Sequence, residues 1–176
     1  MGKKVFIFIG IFIFLIIGFM ILSSYCRNLN ETEQKNMEER TAGGDKQALI
    51  LYQESISSMV KDNVDAITAT LQKANYSVVS NHPRSDSDYC IQDYDVIVLV
   101  SPVYARKLAQ PLLDFADNQD FSGKKVYGVI VGMAKQSGQE DELKEHIQNA
   151  AQKEAFKVVG FDKTQMITNL EGFLSE

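Results

Sequence analysis

Hydroxyl-bearing residues crowd into a short loop behind an apolar run. Residues 48–52 are apolar, and the sequence Gln53-Glu54-Ser55-Ile56-Ser57-Ser58 follows directly. A serine-rich loop between a strand and a helix start offers hydroxyls, backbone N–H groups and the positive end of the helix dipole, which together suit a phosphate. Serine is equally common at helix starts for capping alone, and Ser57 or Ser58 is a natural N-cap. Phosphate binding and simple capping both remain open for this loop.

A second candidate loop carries an aromatic ring. Residues 96–100 are all Val, Ile or Leu, without polar alternation, which predicts a strand buried on both faces of a parallel sheet. The sequence Ser101-Pro102-Val103-Tyr104-Ala105 follows this strand. In open α/β sheets, ligands bind outside the carboxyl ends of the strands. A third loop, residues 132–138, follows another apolar run and has glycine at both ends, which lets the backbone approach a flat ligand.

Helices of crossover length separate the predicted strands. Val60, Val64, Ile67 and Leu71 recur at spacings of four, three and four, the pattern of a helix packed on a sheet. Further helices are predicted from Pro111 to about residue 118 and from residue 140 onward, with strands at residues 76–79, 126–131 and 158–161. Residues 81–93 are predicted to form a loop or a short irregular helix. Residues 162–176 look too short and mixed for a long closing helix, so one flank of the sheet is expected to be thinly covered. The alternation predicts an α/β fold with a doubly wound parallel sheet.

Composition narrows the range of partners. The 176 residues are 45% hydrophobic and carry a formal net charge of -5, without a block of Lys and Arg, which argues against nucleic acid. Cys26 and Cys90 lack the spacing of a CxxC motif, and His82 has no neighbouring ligand besides Cys90. Neither a disulfide nor a metal site is predicted, and for His82 solvent exposure or plain packing is expected instead of metal binding.

The amino end is an apolar run over residues 5–22, preceded by Lys3 and Lys4. Crossing a bilayer takes about 20 apolar residues, with about 17 as the lower limit, so we predict a single-pass anchor over residues 1–26. A cleaved signal peptide is the first alternative, although Tyr25 stands near the place of cleavage. Lipid attachment at Cys26 is the second, although a bulky Tyr25 before the cysteine is a poor match for that processing.

A polar stretch over residues 27–46 follows the apolar run. Its composition and the pair Gly43-Gly44 predict a flexible linker to a globular domain over residues 47–176. The cations on the two sides of the apolar run weakly favour an amino end inside the cell and an extracytoplasmic domain.

Residues 47–161 resemble the flavodoxin-like family. The resemblance is carried by residues 48–52 with the hydroxyl-rich loop, by residues 101–105, and by the sequence Gly-Lys-Lys-Val at residues 123–126. It implies five parallel strands in the order 2-1-3-4-5 with helices on both faces. It also implies that the first loop wraps the phosphate of FMN, that Tyr104 lies against the isoalloxazine ring, and that the third loop contacts the flavin edge.

The resemblance implies a membrane-tethered FMN protein that transfers electrons, either an electron carrier or a small oxidoreductase with a redox protein partner. The alternative is a scaffold that has lost FMN and serves as a membrane-held interaction domain. No catalytic side chain and no metal ligand is predicted. The predicted cofactor-binding residues are Gln53, Glu54, Ser55, Ser57, Ser58, Met59, Ser101, Pro102, Val103, Tyr104, Ala105, Gly132 and Met133.

The first loop departs from the family pattern, which is roughly Ser/Thr-x-Ser/Thr-Gly-x-Ser/Thr. Ser57 stands at the glycine position, Met59 stands at the last hydroxyl position, and Glu54 adds a carboxylate. Two like charges about 4 Å apart repel by about 4 kcal/mol at an effective dielectric constant of about 20. FMN binding is therefore expected to be weakened if Glu54 points toward the phosphate.

Overall fold

The computed structural model describes residues 2–86, 89–134 and 138–176, with side chains from residue 6 onward. The first helix, α1, extends over Gly2–Glu31, five residues beyond the predicted end of the anchor. It is long and apolar enough to cross a bilayer, and its apolar side chains from Phe6 to Leu22 are exposed.

Among the described residues, one sheet of six strands forms the centre of the globular part: β1 (Glu39–Thr41), β2 (Lys46–Tyr52), β3 (Tyr76–Asn81), β4 (Val96–Pro102), β5 (Lys125–Gly132) and β6 (Gln152–Val159). Its five parallel strands occur in the order β3-β2-β4-β5-β6, which confirms the predicted fold class and the predicted order of those five. The prediction of five strands missed β1, which pairs antiparallel with β3 at the sheet edge.

Helices cover both faces of the sheet, as predicted. Successive residues of a strand point to opposite faces, so Ile50 and Val98 pack on one side while Leu49 and Ile97 pack on the other. The first side is covered by α2 (Met59–Lys73) and α5 (Thr164–Ser175), and the second by α3 (Gln110–Asp117) and α4 (Gln139–His146). The β3–β4 connection contains a short 3₁₀ helix, Ile91–Asp93, and its residues 87 and 88 lie outside the described residues.

The carboxyl tail is more regular than its composition suggested. Residues 164–175 form the twelve-residue helix α5, in which Met166, Leu170 and Phe173 are buried. The prediction of a thinly covered flank is therefore wrong, because these three side chains lie at spacings of four and three and close the core on that side.

The polar stretch after α1 packs along the domain, which differs from the flexible linker expected for residues 27–46. β1 lies in this stretch, and the backbone N–H of Met37 donates to Asn81 Oδ1 over 2.9 Å. A Cβ atom added at Gly43 or Gly44 would overlap backbone atoms of Tyr76 or Asn75, so the glycines permit a close contact. The stretch packs through hydrogen bonds rather than apolar side chains. The boundaries of the anchor, linker and domain remain a prediction.

Candidate functional site

A cavity of about 310 Å³ lies at the carboxyl edge of the sheet, between the loops that follow β2, β4 and β5. Its volume is at the lower end of the range for small-molecule sites, about 300–1,000 Å³. The three loops singled out in the sequence therefore meet around one space. The lining residues are Ser55, Ile56, Ser57, Met59, Val60, Pro102, Val103, Tyr104, Val131, Gly132 and Met133.

Most of the predicted cofactor-binding residues line this cavity, and five do not: Gln53, Glu54, Ser58, Ser101 and Ala105. Residues 135–137 of the third loop lie outside the described residues. The lining includes Ile56, Val60 and Val131, which were not predicted. Val131 could have been found from strand alternation, because it shares a face of β5 with Val129.

Tyr104 is presented by a tight two-residue turn. Its backbone N–H donates to Lys107 O over 3.1 Å, and the Lys107 N–H donates to Tyr104 O over 2.9 Å. The two central residues, Ala105 and Arg106, have φ values of 49° and 70°, in the left-handed region that favours glycine. Each such conformation in a non-glycine residue costs about 1 kcal/mol or more. The chain therefore holds Tyr104 in place with a strained backbone.

The Tyr104 side chain connects two of the loops. It is half-buried, and its hydroxyl accepts a hydrogen bond of 2.8 Å from the Ile56 backbone N–H. Because Tyr104 and Ile56 both line the cavity, the phenol forms a wall between the first loop and the turn.

The amino end of α2 adjoins the cavity without a side-chain cap. Ser58 occupies the N-cap position, but its hydroxyl donates to Asp62 Oδ2 over 2.9 Å and makes no capping bond. The predicted N-cap position is thus confirmed at Ser58, while the expected side-chain capping bond is not formed. Met59 and Val60 of the first turn line the cavity, and the N–H groups of a first turn have no intrahelical acceptor. The positive end of the helix dipole therefore lies beside the cavity.

Glu54 does not line the cavity. Its carboxylate Oε1 lies 3.7 Å from His82 Nε2, and its backbone N–H donates to Gln34 Oε1 over 2.9 Å. His82 is buried, which fits the packing alternative and not solvent exposure: its Nδ1 lies 2.8 Å from Lys35 O and its ring packs edge-on against Tyr52. Burial also raises the pKa of the Tyr52 hydroxyl above its ordinary value. The carboxylate of Glu54 is thus directed toward His82.

Gln53 and Ser101 bind backbone groups. The Gln53 Nε2 donates to Leu29 O over 2.5 Å and to Thr32 O over 2.9 Å, which ties the end of α1 to the end of β2. The Ser101 Oγ accepts a hydrogen bond from the Ala109 N–H and donates one to Pro102 O, both of 2.9 Å. Both side chains are buried, and they position the segments around the cavity rather than line it.

These features define a class of protein: a doubly wound α/β domain with a cavity outside the carboxyl ends of adjacent parallel strands, beside a helix amino end, where such domains bind ligands. Residues 60–164, more than half of the chain, match the model of the Flavodoxin domain family. The chain belongs to this family. The match begins directly after the loop that departs from the family pattern.

Solved structures share the fold at low sequence identity. The flavodoxin of Streptococcus pneumonia TIGR4 is 18% identical with a TM-score of 0.61, and the similarity covers 74% of this chain and 96% of that one. Flavodoxin 2 of Bacillus cereus is 20% identical, with a TM-score of 0.58 and coverage of 73% and 97%. The two-electron reduced flavodoxin of Megasphaera elsdenii is 21% identical, with a TM-score of 0.55 and coverage of 74% and 99%. No curated protein is significantly similar in sequence to this chain.

Proposed function

We propose that this protein is a membrane-tethered flavodoxin that binds FMN in the cavity at the carboxyl edge and transfers electrons through the flavin. The observation that carries this proposal is Tyr104, an aromatic wall of the cavity that the uncapped amino end of α2 also lines. Membership of the flavodoxin family supports it. The solution structure of the Megasphaera elsdenii flavodoxin is of a two-electron reduced form, which is the kind of chemistry proposed here.

The residues present fit the two ends of FMN. The first-turn N–H groups of α2 and the hydroxyls of Ser55 and Ser57 would hold the phosphate, and the Tyr104 ring would lie against the isoalloxazine. Gly132 and Met133 would contact the flavin edge through their backbone. When bound, FMN supplies the one- or two-electron chemistry. The chain contributes binding and orientation, and it needs no general acid or base.

The tether is part of the proposal. α1 would cross the bilayer once, with the domain on the extracytoplasmic side and a redox protein as partner. The length and apolar character of α1 support the crossing.

A scaffold without cofactor is the second candidate, and one contact favours it. The Ile56 N–H, which belongs to the predicted phosphate loop, is already satisfied by the Tyr104 hydroxyl. A domain that no longer binds FMN would be expected to fill its own loop in this way.

An FMN titration of the full chain in detergent micelles, followed by flavin fluorescence quenching, separates the two candidates. We expect saturable quenching at micromolar FMN or tighter. Tyr104→Ala is expected to weaken binding by about tenfold to a hundredfold, because stacking on an aromatic side chain contributes about 1–3 kcal/mol. Tyr104→Phe is the matched control, since it keeps the ring and removes only the hydroxyl. If the folded protein does not bind FMN at hundreds of micromolar, the proposal fails and the scaffold without cofactor is the remaining candidate.

A further inference from the structure

The exposed large apolar side chains of the globular part all lie at one edge of the sheet. Ile56 follows β2, Met133 follows β5, Phe161 follows β6, and the Met37 N–H bonds to Asn81 at the end of β3. Single exposed apolar residues are normal on a protein surface, but they are ordinarily scattered. Among the residues described after α1, the exposed large apolar side chains are Met37, Ile56, Met133 and Phe161.

α1 leaves the domain from this same edge. Asn30, in its last turn, is buried and donates from Nδ2 to Leu108 O over 2.8 Å. A second cavity, of about 430 Å³, lies between α1 and the Tyr104 turn. Its walls include Phe19 and Leu22 from the apolar run of α1, together with Tyr104. The apolar run and the candidate FMN cavity are therefore separated by one side chain, that of Tyr104.

Helix geometry gives the depth of this contact. The hydrocarbon core of a bilayer is about 30 Å thick, which takes about 20 residues of helix at about 1.5 Å each. The apolar run of residues 5–22 fills that thickness, so Cys26 and Arg27 lie at the headgroup level. Both line the second cavity with Tyr104, which places the turn at the same level.

We infer that the carboxyl edge of the sheet docks on the bilayer surface, with Ile56, Met133 and Phe161 dipping into the headgroup layer and the FMN cavity opening there. The inference rests on the proposed crossing of the bilayer by α1. It also limits the possible redox partners of the proposed function to molecules that are dissolved in, or attached to, the same membrane.

The apolar side chains, rather than charge, carry this docking. The exposed cation Lys107 lines the second cavity together with the exposed carboxylate of Glu31, and the exposed Arg106 and Glu54 add one charge of each sign at this edge. Anionic lipid is therefore not required, and vesicles of zwitterionic phosphatidylcholine are a sufficient test surface.

Tryptophan substitution tests the inference cleanly because the chain contains no tryptophan. The full chain is reconstituted into phosphatidylcholine vesicles whose acyl chains carry bromine, a quencher of indole fluorescence, either near the headgroup end or near the methyl end. Ile56→Trp and Phe161→Trp report on the carboxyl edge. Lys73→Trp, at the exposed end of α2 on the opposite edge, is the matched control, and Phe14→Trp reports on α1 itself.

We expect bromine near the headgroup end to reduce the fluorescence of Ile56→Trp and Phe161→Trp about twofold, since interfacial apolar faces are buried about 5–10 Å into the headgroup and acyl boundary. Bromine near the methyl end is expected to act less on these two variants. Lys73→Trp is expected to be unchanged. Phe161→Trp exchanges one exposed aromatic ring for another, and unchanged thermal unfolding shows that each variant folds.

If bromine quenches Ile56→Trp and Phe161→Trp no more than Lys73→Trp, while it does quench Phe14→Trp, the docking is overturned and the tether is left intact. Shielding of both edge probes from aqueous iodide without quenching by bromine would also overturn it, because a second copy or another protein would then cover the edge. An unquenched Phe14→Trp would instead contradict the proposed crossing of the bilayer by α1, and the docking that rests on it.

Discussion

The two edges of the sheet are held together in different ways. At the amino edge, backbone segments touch directly: Gly43 and Gly44 leave no room for a side chain against Tyr76 and Asn75. At the carboxyl edge, side chains such as Gln53 join the segments, and the turn after Tyr104 adopts a conformation that its residues disfavour.

This difference separates what forms the fold from what forms the site. Sequences that specify a fold follow local rules, and departures from those rules concentrate at functional places. The departures at the carboxyl edge are the left-handed Ala105 and Arg106, the uncapped α2 and the exposed apolar residues, whereas the left-handed residues before β3 and β6 are Asn75 and Asn149, a residue type that tolerates this conformation. The edge that follows the rules less well is therefore the edge on which function is expected.

Gly44→Ala is expected to have the largest effect on stability. The new Cβ would meet the Asn75 backbone, which cannot yield as a flexible side chain can, so we expect a loss of about 3 kcal/mol in the free energy of unfolding. Urea titration of the full chain in micelles, followed by circular dichroism, measures it. Gly172→Ala is the control: its Cβ meets nothing in α5, and it is expected to gain up to about 1 kcal/mol. Equal effects of the two variants would contradict the close contact at the amino edge.

Gln53→Ala breaks the corresponding contact at the carboxyl edge. Removing the amide leaves the carbonyls of Leu29 and Thr32 without this donor, which is expected to cost about 2 kcal/mol and to speed tryptic cleavage after Lys35 or Arg40. Gln72→Ala removes an exposed hydrogen bond from the Gln72 side-chain amide to Ala42 O near the amino edge. It is expected to change the free energy of unfolding by less than about 0.5 kcal/mol. A slower or unchanged cleavage in Gln53→Ala would show that other contacts fix the segment after α1.

Tyr127→Phe tests the buried interior close to the amino edge, where the smallest effect is expected. Burial raises the pKa of the Tyr127 hydroxyl well above its ordinary value, and this buried hydroxyl has no hydrogen-bond partner among the described residues. Because the pKa is higher in the folded state, this titration leaves the free energy of unfolding unchanged below about pH 10 and lowers it as the pH rises above that.

We expect Tyr127→Phe to gain about 1 kcal/mol at neutral pH and to lose less stability than the wild type above about pH 10. Urea titrations at a series of alkaline pH values measure both quantities. Parallel pH profiles for the two proteins would mean that Tyr127 does not titrate on unfolding in this range.

The parallel strands could be predicted because a strand that is buried on both faces has an unbroken apolar sequence, as in residues 96–100. β1 could not, because Glu39, Arg40 and Thr41 carry no apolar pattern and their pairing depends on the backbone of β3. The helix α5 could have been found, since Met166, Leu170 and Phe173 follow helical spacing.

The position of the candidate site was predictable for a topological reason: the loops at the carboxyl ends of parallel strands meet at one edge. The direction of single side chains within those loops was not. Glu54 is turned toward His82 and held at its backbone by Gln34, both distant in sequence, and the bond between Tyr104 and Ile56 spans 48 residues.

The bond between the Tyr104 hydroxyl and the Ile56 N–H has a kinetic meaning. In the proposed FMN complex, a phosphate that used this N–H would bind only after the phenol had released it, so binding would include an opening step of the protein besides diffusion. The apparent dissociation constant is the intrinsic one divided by the fraction of molecules that are open. Under the proposed function Tyr104 would act as a latch, and its closed form would keep this N–H from other anions until the ligand arrives.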